Sequence, residues 1–594
     1  MRPQPPTTVV AALLEQASLR PGRPAFTVED LKGRWRTLTY AELLEQSLRV
    51  ATRLLEQGLR QGDRLLVCLP TSPQLLTVIY GTLLAGGACV PVYPPFASQG
   101  LGRWKEQALA IARVAQPCGA VVRPMTRLHM ASVLDQVGPD LFTVAPGDLE
   151  RGDGGVLADI LPEQDLAFIQ FTSGTTAEPR GVSITHRVLM ANIQALLEVM
   201  PLDESDVSVS WLPPYHDMGL VGHIFVPVCC GVHQYLVPPT VLLSRPARWL
   251  QLVTRTRATQ TTAPNFAYSM CAHRISRSER ASIDLGSLRW ALNGAETVQA
   301  ASMERFGRTF APRGFSVQAF RPVYGLAEAT LTATFSPHGG IDVDWIDRER
   351  LSTAAEARPV PRQRRGDAQP IVSVGRPIPG HELRVVDDDG RDRAPRQVGE
   401  IWFSGPSVMG GYFNNPQATQ QVLREGWLAT GDLGYLDEQG LLHVTGRKKD
   451  LIIKGGRNYL PQDFEQACLD LPGLRPGRVV AFGAANPRTG TEDIVLVAEV
   501  RDPARTRDPV LRHRVIRTVG ERTGQRPDRV ELVEPGLLPK TTSGKLQRGR
   551  VKAAFEAGVA LRSPPRRNVD AVVQAVRSAL ELTRARIGRM LGWQ

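Results

Sequence analysis

A run of hydroxyl and glycine residues, Phe171-Thr172-Ser173-Gly174-Thr175-Thr176, followed by Pro179-Arg180-Gly181, is the sharpest local chemical signal in this chain. It follows an apolar run, Ala167–Phe171, that reads as a strand. A loop of this make-up can aim backbone N–H groups and hydroxyls at phosphate oxygens. It lacks the G-x-x-x-x-G-K-[ST] spacing of a P-loop, and Thr/Ser/Gly loops also make ordinary turns. The second signal is the use of lysine. Eight of the 71 basic residues are lysines, and six of them are Lys448, Lys449, Lys454, Lys540, Lys545 and Lys552. An ammonium is a compact point charge and a guanidinium a planar fork, so the two are not interchangeable. A chain that avoids lysine elsewhere has a use for the ammonium here, unless the clustering is chance on a solvated face.

The elements that must position these groups are also legible. Thr39–Gly58 carries Leu43, Leu44, Leu48, Val50, Leu54 and Leu55 at helical spacing, and Gly58 supplies a stop. Leu65–Leu69 reads as a strand, Pro73–Ala85 as a helix and Ala88–Val92 as a strand; Ala167–Phe171, His186–Met200 and Val207–Trp211 repeat the alternation. Strands alternating with helices imply a parallel sheet covered on both faces. Two stretches without Asp, Glu, Lys or Arg, Leu65–Gly102 and Met218–Ser244, are long enough for a membrane span. Prolines divide both, and buried parallel strands read as continuous apolar runs, so a soluble core is expected and no membrane span. The net charge of +12 favours anions such as a nucleotide or an acidic protein. No concentrated basic stripe or nucleic-acid motif accompanies it, so no nucleic-acid partner is expected. The seven cysteines show no metal or disulfide spacing, and Glu15 interrupts the only apolar run near the start. Both point to a cytoplasmic protein without a signal peptide.

Further motifs follow in order: Asn293-Gly294-Ala295-Glu296, Tyr324-Gly325-Leu326-Ala327-Glu328, Thr430-Gly431-Asp432-Leu433, Gly446-Arg447-Lys448-Lys449-Asp450 and Pro539-Lys540-Thr541-Thr542-Ser543-Gly544-Lys545. With these the chain resembles the adenylate-forming superfamily of acyl-CoA synthetases, adenylation domains and luciferases, over roughly residues 10 to 555. The resemblance implies an α/β fold: a large, multi-lobed N-terminal domain (1–446) and a small, mobile α/β C-terminal domain (447–560), with 561–594 as linker and short helix. It implies ATP as co-substrate, with Thr172, Ser173, Gly174, Thr175 and Thr176 around its phosphates and Arg180 beside them. Tyr324 and Gly325 would meet adenine together with Asn293, Gly294 and Ala295. Glu328 would hold Mg²⁺, a hard cation that prefers oxygen, and Asp432 and Arg447 would reach the ribose. Lys449 and Asp450 would sit at a hinge. Lys545 would be the catalytic lysine, offsetting the charge that develops when a carboxylate attacks phosphorus. Taken singly, a tyrosine is more often core packing, a carboxylate an exposed side chain and a charged turn merely solvated. One position departs from the family pattern: Pro179-Arg180-Gly181 stands where Pro-Lys-Gly is usual.

Three features resemble fatty acyl-AMP ligases in particular. Trp211-Leu212-Pro213-Pro214-Tyr215-His216-Asp217-Met218-Gly219-Leu220 is similar to their tunnel-entry motif, with His216 near the attacking carboxylate. Phe266, Tyr268 and Met218 are candidate tunnel residues. Gly456–Glu465 resembles their post-hinge signature. A polar segment at about 339–367 lies where those enzymes carry an insertion that restrains domain movement. The resemblance implies a fatty acid substrate, an acyl-AMP product and a separate acyl carrier protein as acceptor, with acyl-CoA synthesis as the alternative.

Overall fold

Thr39 opens the first long helix with a reciprocal cap. Its hydroxyl accepts the Glu42 N–H at 3.2 Å, and the Glu42 carboxylate accepts the Thr39 N–H at 2.8 Å. The helix runs Tyr40–Glu56 and buries Leu43, Val50 and Leu54, the stripe its period predicts. It packs on Pro73–Leu84, a helix buried at every position but Gln74. Gly81 permits the contact, since a Cβ there would stand 2.6 Å from Val50 Cγ1. These elements belong to a computed structural model that describes residues 5–95, 101–151 (apart from the side chain of 103), 165–171, 179–361, 363, 368–540 and 545–559. Among them no helix is long and apolar enough to cross a membrane, and all seven cysteines are free thiols.

The described residues pack as two units, one reaching Asp450 and the other beginning at Leu451. The first unit holds three main sheets. The six-stranded sheet runs Phe142–Val144, Gly119–Val122, Arg64–Cys68, Ala88–Pro91, Leu166–Phe171, Gly181–Thr185. Its neighbours are parallel except the last pair, where Phe171 faces Gly181 across an antiparallel ladder. The nine-stranded sheet has a parallel centre that includes Phe320–Tyr324, Trp290–Asn293, Gln260–Ala263 and Val207–Ser210. The third sheet is antiparallel and contains Gly399–Ser404, Trp427–Leu436 and Leu442–Arg447. This is the large, several-lobed α/β body expected from the alternation. Ligands in such sheets gather at the carboxyl ends of the strands, and Phe171, Asn293 and Tyr324 each end a strand.

The polar segment near 339–367 interrupts the strand–helix rhythm, yet its described part is ordered. Val343–Ile346 pairs antiparallel with Gln369–Val372, and Asp347 caps the helix Arg348–Ala354. Arg396 ties this segment to the antiparallel sheet. Its guanidinium donates to Asp344 Oδ2 at 2.7 Å, to the Ala357 carbonyl at 3.1 Å and to Glu438 Oε1 at 2.6 Å. Tyr435 donates its hydroxyl to the same Asp344 oxygen at 2.8 Å. The Arg396 and Asp344 side chains are only 18% and 14% exposed. The pair is therefore less screened than the surface ion pairs that contribute ~0–1 kcal/mol.

The second unit builds on the sheet Leu474–Asn486, Thr491–Val500, Arg529–Val533, flanked by Pro461–Ala467, Pro509–Thr523 and Arg548–Glu556. Separate apolar clusters fill its two faces, one around Phe464, Leu496 and Leu511 and one around Phe482, Val497 and Val551. The tail helix expected after residue 568 lies outside the described residues. Within this unit the fully buried Glu499 accepts Arg475 Nη1 at 2.7 Å and the Leu538 N–H at 3.1 Å. Lys540 lies two residues on, and burial, then Arg478 and Arg475, push its ammonium down to about 8. An unfolded lysine titrates near ~10.4, so between these values the unfolded chain binds more protons and stability rises with pH. Comparing melting temperatures of Lys540→Met and wild type from pH 7 to 10 should show the difference moving in favour of the wild type. A difference independent of pH would refute this account of Lys540.

Candidate functional site

Glu328 stands on a short, tightly turned loop after Phe320–Tyr324. The turn needs Gly325, because a Cβ there would meet the Leu331 carbonyl oxygen at 1.8 Å. Thr330 takes a left-handed φ of +72° and donates its hydroxyl to the Ser407 carbonyl at 2.7 Å. Asn192 braces the loop from the helix His186–Val199: Nδ2 donates to the carbonyls of Ala329 (3.1 Å) and Thr332 (2.9 Å), and Oδ1 accepts the Thr332 N–H (3.2 Å). The Glu328 carbonyl accepts the Met409 N–H at 2.9 Å, and Tyr412 donates its hydroxyl to Glu328 Oε1 at 2.9 Å. Burial holds the Glu328 carboxyl above its ordinary range, and Asp217 nearby pushes the same way; Tyr412 and Arg447 oppose it.

Asp432 links two other expected residues. Gly431, at φ +71°, turns the chain before it. Its Oδ2 accepts the Tyr324 hydroxyl at 2.8 Å, and its Oδ1 lies 3.0 Å from Arg447 Nε. The two carriers of that ion pair face each other across the strands Trp427–Leu436 and Leu442–Arg447. Asp432 is buried, whereas the Arg447 side chain is 56% exposed. Asp432 beside it raises the Arg447 guanidinium still further, and burial raises the Tyr324 phenol. Tyr324, Asp432, Arg447 and Glu328 therefore form one electrostatically coupled group. Lys449 borders it: burial, then Arg447, lower its ammonium. Lys448 instead pairs with Asp388 at 2.7 Å and Glu400 at 3.3 Å.

The remaining expected residues divide clearly. Asn293 is fully buried, and its Oδ1 has no hydrogen-bond partner among the described residues. Gly294 is forced, since a Cβ would meet Val323 Cγ2 at 2.7 Å, and Ala295 takes φ +67°. His216 Nδ1 pairs with Asp217 Oδ1. Gly219 closes that turn, because a Cβ would lie 2.0 Å from the Pro213 carbonyl oxygen. Trp211 packs edge-on to Trp249 and Phe266, each at 6.1 Å between ring centroids. Tyr268 is committed to the core: Trp249, Phe306 and Phe320 surround its ring, and its hydroxyl donates to the Leu292 carbonyl at 2.9 Å. Arg180 lies over the Tyr412 ring, its guanidinium carbon 5.3 Å from the centroid. Thr172, Ser173, Gly174, Thr175 and Thr176 lie outside the described residues. Lys545 belongs to the second unit, next to the bridge that pairs Lys540 with Leu546.

Two residues of the site escaped sequence reasoning. Asn192 interrupts the buried face shared by Leu189, Ile193 and Leu196. A polar residue on such a stripe needs a partner, and that was its signal. Tyr412 follows Gly410-Gly411, a breaker pair that marks a special backbone without saying what the next side chain meets.

The comparisons with known proteins place the chain in a family. Residues 13–413 match the family model described as AMP-binding enzyme. A provisionally named acyl-CoA synthetase of Caulobacter vibrioides is 35% identical over 525 residues, covering 88% of this chain and 91% of that protein. A provisionally named fatty-acid–CoA ligase of Mycobacterium tuberculosis is 32% identical over 577 residues, covering 91% and 96%. A solved structure from work on fatty acyl-adenylate ligases of E. coli and L. pneumophila superposes with a TM-score of 0.85 at 32% identity, over 94% of this chain and 98% of that one. The L. pneumophila fatty acyl-adenylate ligase in complex with acyl adenylate and pyrophosphate gives 0.70 at 29% identity, over 94% and 97%. A family match across two thirds of the chain, with relatives above 30% identity over most of its length, makes this protein an acid-activating ligase of the AMP-binding enzyme family, within the adenylate-forming superfamily.

Proposed function

We propose that this enzyme activates a fatty acid as acyl-AMP, releasing pyrophosphate, and delivers the acyl group to the phosphopantetheine thiol of a separate acyl carrier protein, the thioester forming as AMP leaves and the thiol proton is lost. The observation that carries the adenylation reading is the joined group Tyr324, Asp432 and Arg447, with the Glu328 carboxylate near enough to feel the Arg447 charge. The fatty acid reading draws on the likeness to the fatty acyl-adenylate ligases. In the reaction a carboxylate oxygen bonds to the α-phosphorus of ATP, and the bond to pyrophosphate breaks. Asp432 and Arg447 hold the ribose hydroxyls. Tyr324 and Gly325 meet adenine alongside Asn293, Gly294 and Ala295, and the buried Asn293 Oδ1 offers an acceptor for a base amino group. Arg180 and Thr172–Thr176 take the outer phosphates, His216 stands beside the incoming carboxylate, and Lys545 supplies positive charge to the transition state.

The residues fit Mg²⁺ as a companion of the nucleotide. Among the described residues no three acidic, histidine or cysteine groups form a dedicated metal cage. A single buried carboxylate, Glu328, does suit an ion that is usually held by one or two carboxylates together with substrate phosphates. Bound there, Mg²⁺ neutralises phosphate charge.

The acceptor is tested by incubating the enzyme with fatty acid, ATP and Mg²⁺, and with either CoA or a phosphopantetheinylated carrier protein. Acyl-AMP and carrier-bound acyl groups are expected, with little acyl-CoA. The relatives named as acyl-CoA synthetases favour the other reading, and acyl-CoA formed as fast as pyrophosphate would establish it. Deleting 342–366 should raise CoA use if the insertion restrains the enzyme. The deletion also removes Asp344 from Arg396 and Tyr435, so a lower melting temperature is expected with it.

A further inference from the structure

Arg180 and Glu328 come from separate segments, and one side chain touches both. The Tyr412 hydroxyl donates to Glu328 Oε1 at 2.9 Å, while the Arg180 guanidinium carbon lies 5.3 Å from the centre of the Tyr412 ring. The backbone on either side is held as well. The Tyr412 N–H donates to Thr419 Oγ1 at 2.9 Å, Phe413 N–H to the Gly181 carbonyl at 2.7 Å, and Ser183 N–H to the Gly411 carbonyl at 3.0 Å. Val182 and Tyr412 form an antiparallel bridge. Met409 N–H donates to the Glu328 carbonyl at 2.9 Å. Gly411 takes φ +144°, and a Cβ there would stand 2.9 Å from Thr419 Cγ2. Residues 409–413 thus tie the strand that begins at Gly181 to the loop that carries Glu328.

We propose that Tyr412 is a positioning residue that couples Arg180 to Glu328, fixing the phosphate-facing cation and the metal-facing carboxylate relative to one another. This rests on the adenylation reading of the site. The ring presents an electron-rich face to the guanidinium, which is more weakly hydrated than an ammonium and so loses less on leaving water for that face. The hydroxyl restrains the carboxylate by a single directed hydrogen bond. The ring face serves Arg180 alone, whereas the hydroxyl meets Glu328 and is approached by Arg180 as well.

The test uses Tyr412→Phe, Tyr412→Leu, Arg180→Ala and the Arg180→Ala/Tyr412→Leu double variant. ATP affinity is measured by calorimetry without Mg²⁺, and the Mg²⁺ concentration for half-maximal acid-dependent pyrophosphate exchange is measured separately. Tyr412→Phe keeps the face and loses the hydroxyl. It should weaken Mg²⁺-free ATP binding less than Tyr412→Leu does, and raise the Mg²⁺ requirement by roughly threefold to tenfold, the scale of one lost hydrogen bond. Tyr412→Leu should weaken ATP binding as well. The double variant should bind ATP no worse than Arg180→Ala alone, a non-additivity of about threefold or more. Arg180→Lys should recover less affinity beside Tyr412 than the wild-type arginine provides. Additive losses, or a Tyr412→Phe enzyme with the wild-type Mg²⁺ requirement, would overturn the coupling. If Tyr412→Leu does not fold, the Phe variant and its melting temperature decide alone. Wild-type enzyme that binds ATP but exchanges no pyrophosphate with any acid would sink the adenylation reading instead, and the calorimetric cycle would still judge the contact with Arg180.

Discussion

Lys545→Ala is expected to lower acid-dependent pyrophosphate exchange by about 10²–10³-fold, the loss typical of one preorganised charge-stabilising group. The reason is electrostatic. An anionic carboxylate must approach an anionic phosphate, and the charge on the phosphoryl oxygens has to be offset as the new bond forms. An ammonium delivers that charge as a point, so Lys545→Arg should recover only part of the rate. The effect should fall on kcat. Tyr324, Asp432 and Arg447 belong to the first unit and Lys545 to the second, so the KM for ATP should stay within about threefold; an interaction made only in the transition state behaves this way. Exchange that stays within a factor of about ten of wild type would remove Lys545 from the chemistry.

Glu328→Gln should have opposite effects on activity and stability. Burial raises the Glu328 carboxyl, so holding it ionised at neutral pH costs folding free energy. Glutamine has the same shape and can still accept the Tyr412 hydroxyl, but carries no charge to desolvate. In EDTA the variant should melt at or above the wild-type temperature. Its exchange rate at a fixed Mg²⁺ concentration should drop by about 10²-fold or more, because the charge that would hold the ion is gone. Asp432 differs, since its Oδ1 already has Arg447 at 3.0 Å, and neutralising it would break an existing pair. A Glu328→Gln enzyme that melts lower and turns over normally would place Glu328 among the structural carboxylates.

The sequence by itself determined the element order and the chemistry of the motifs. Periodicity located the helices Tyr40–Glu56 and Pro73–Leu84 and the strands around Leu66 and Ile169 to within a residue or two, because each buries a face that its own residues define. The residues Tyr324, Glu328, Asp432 and Arg447 came instead from the resemblance of their motifs to a family; the glycines beside two of them, 325 and 431, fill a backbone too tight for a Cβ and a left-handed turn.

What only the tertiary structure decided was partnership. Nothing in the spacing says that Tyr324 gives its hydroxyl to Asp432, 108 positions on, or that Tyr412 reaches back 84 positions to Glu328. The same holds for the polar segment near 339–367, whose composition names no partner for its charges. Asp344 is held under Arg396 and Tyr435. Tyr268, a tunnel candidate by type, turned out to be packed among aromatic rings. The physical reason is common to all of them. Helix and strand periods are short-range properties of the chain, whereas a buried charge or hydroxyl is satisfied by whatever group the fold brings within about 3 Å, and sequence distance does not limit that choice.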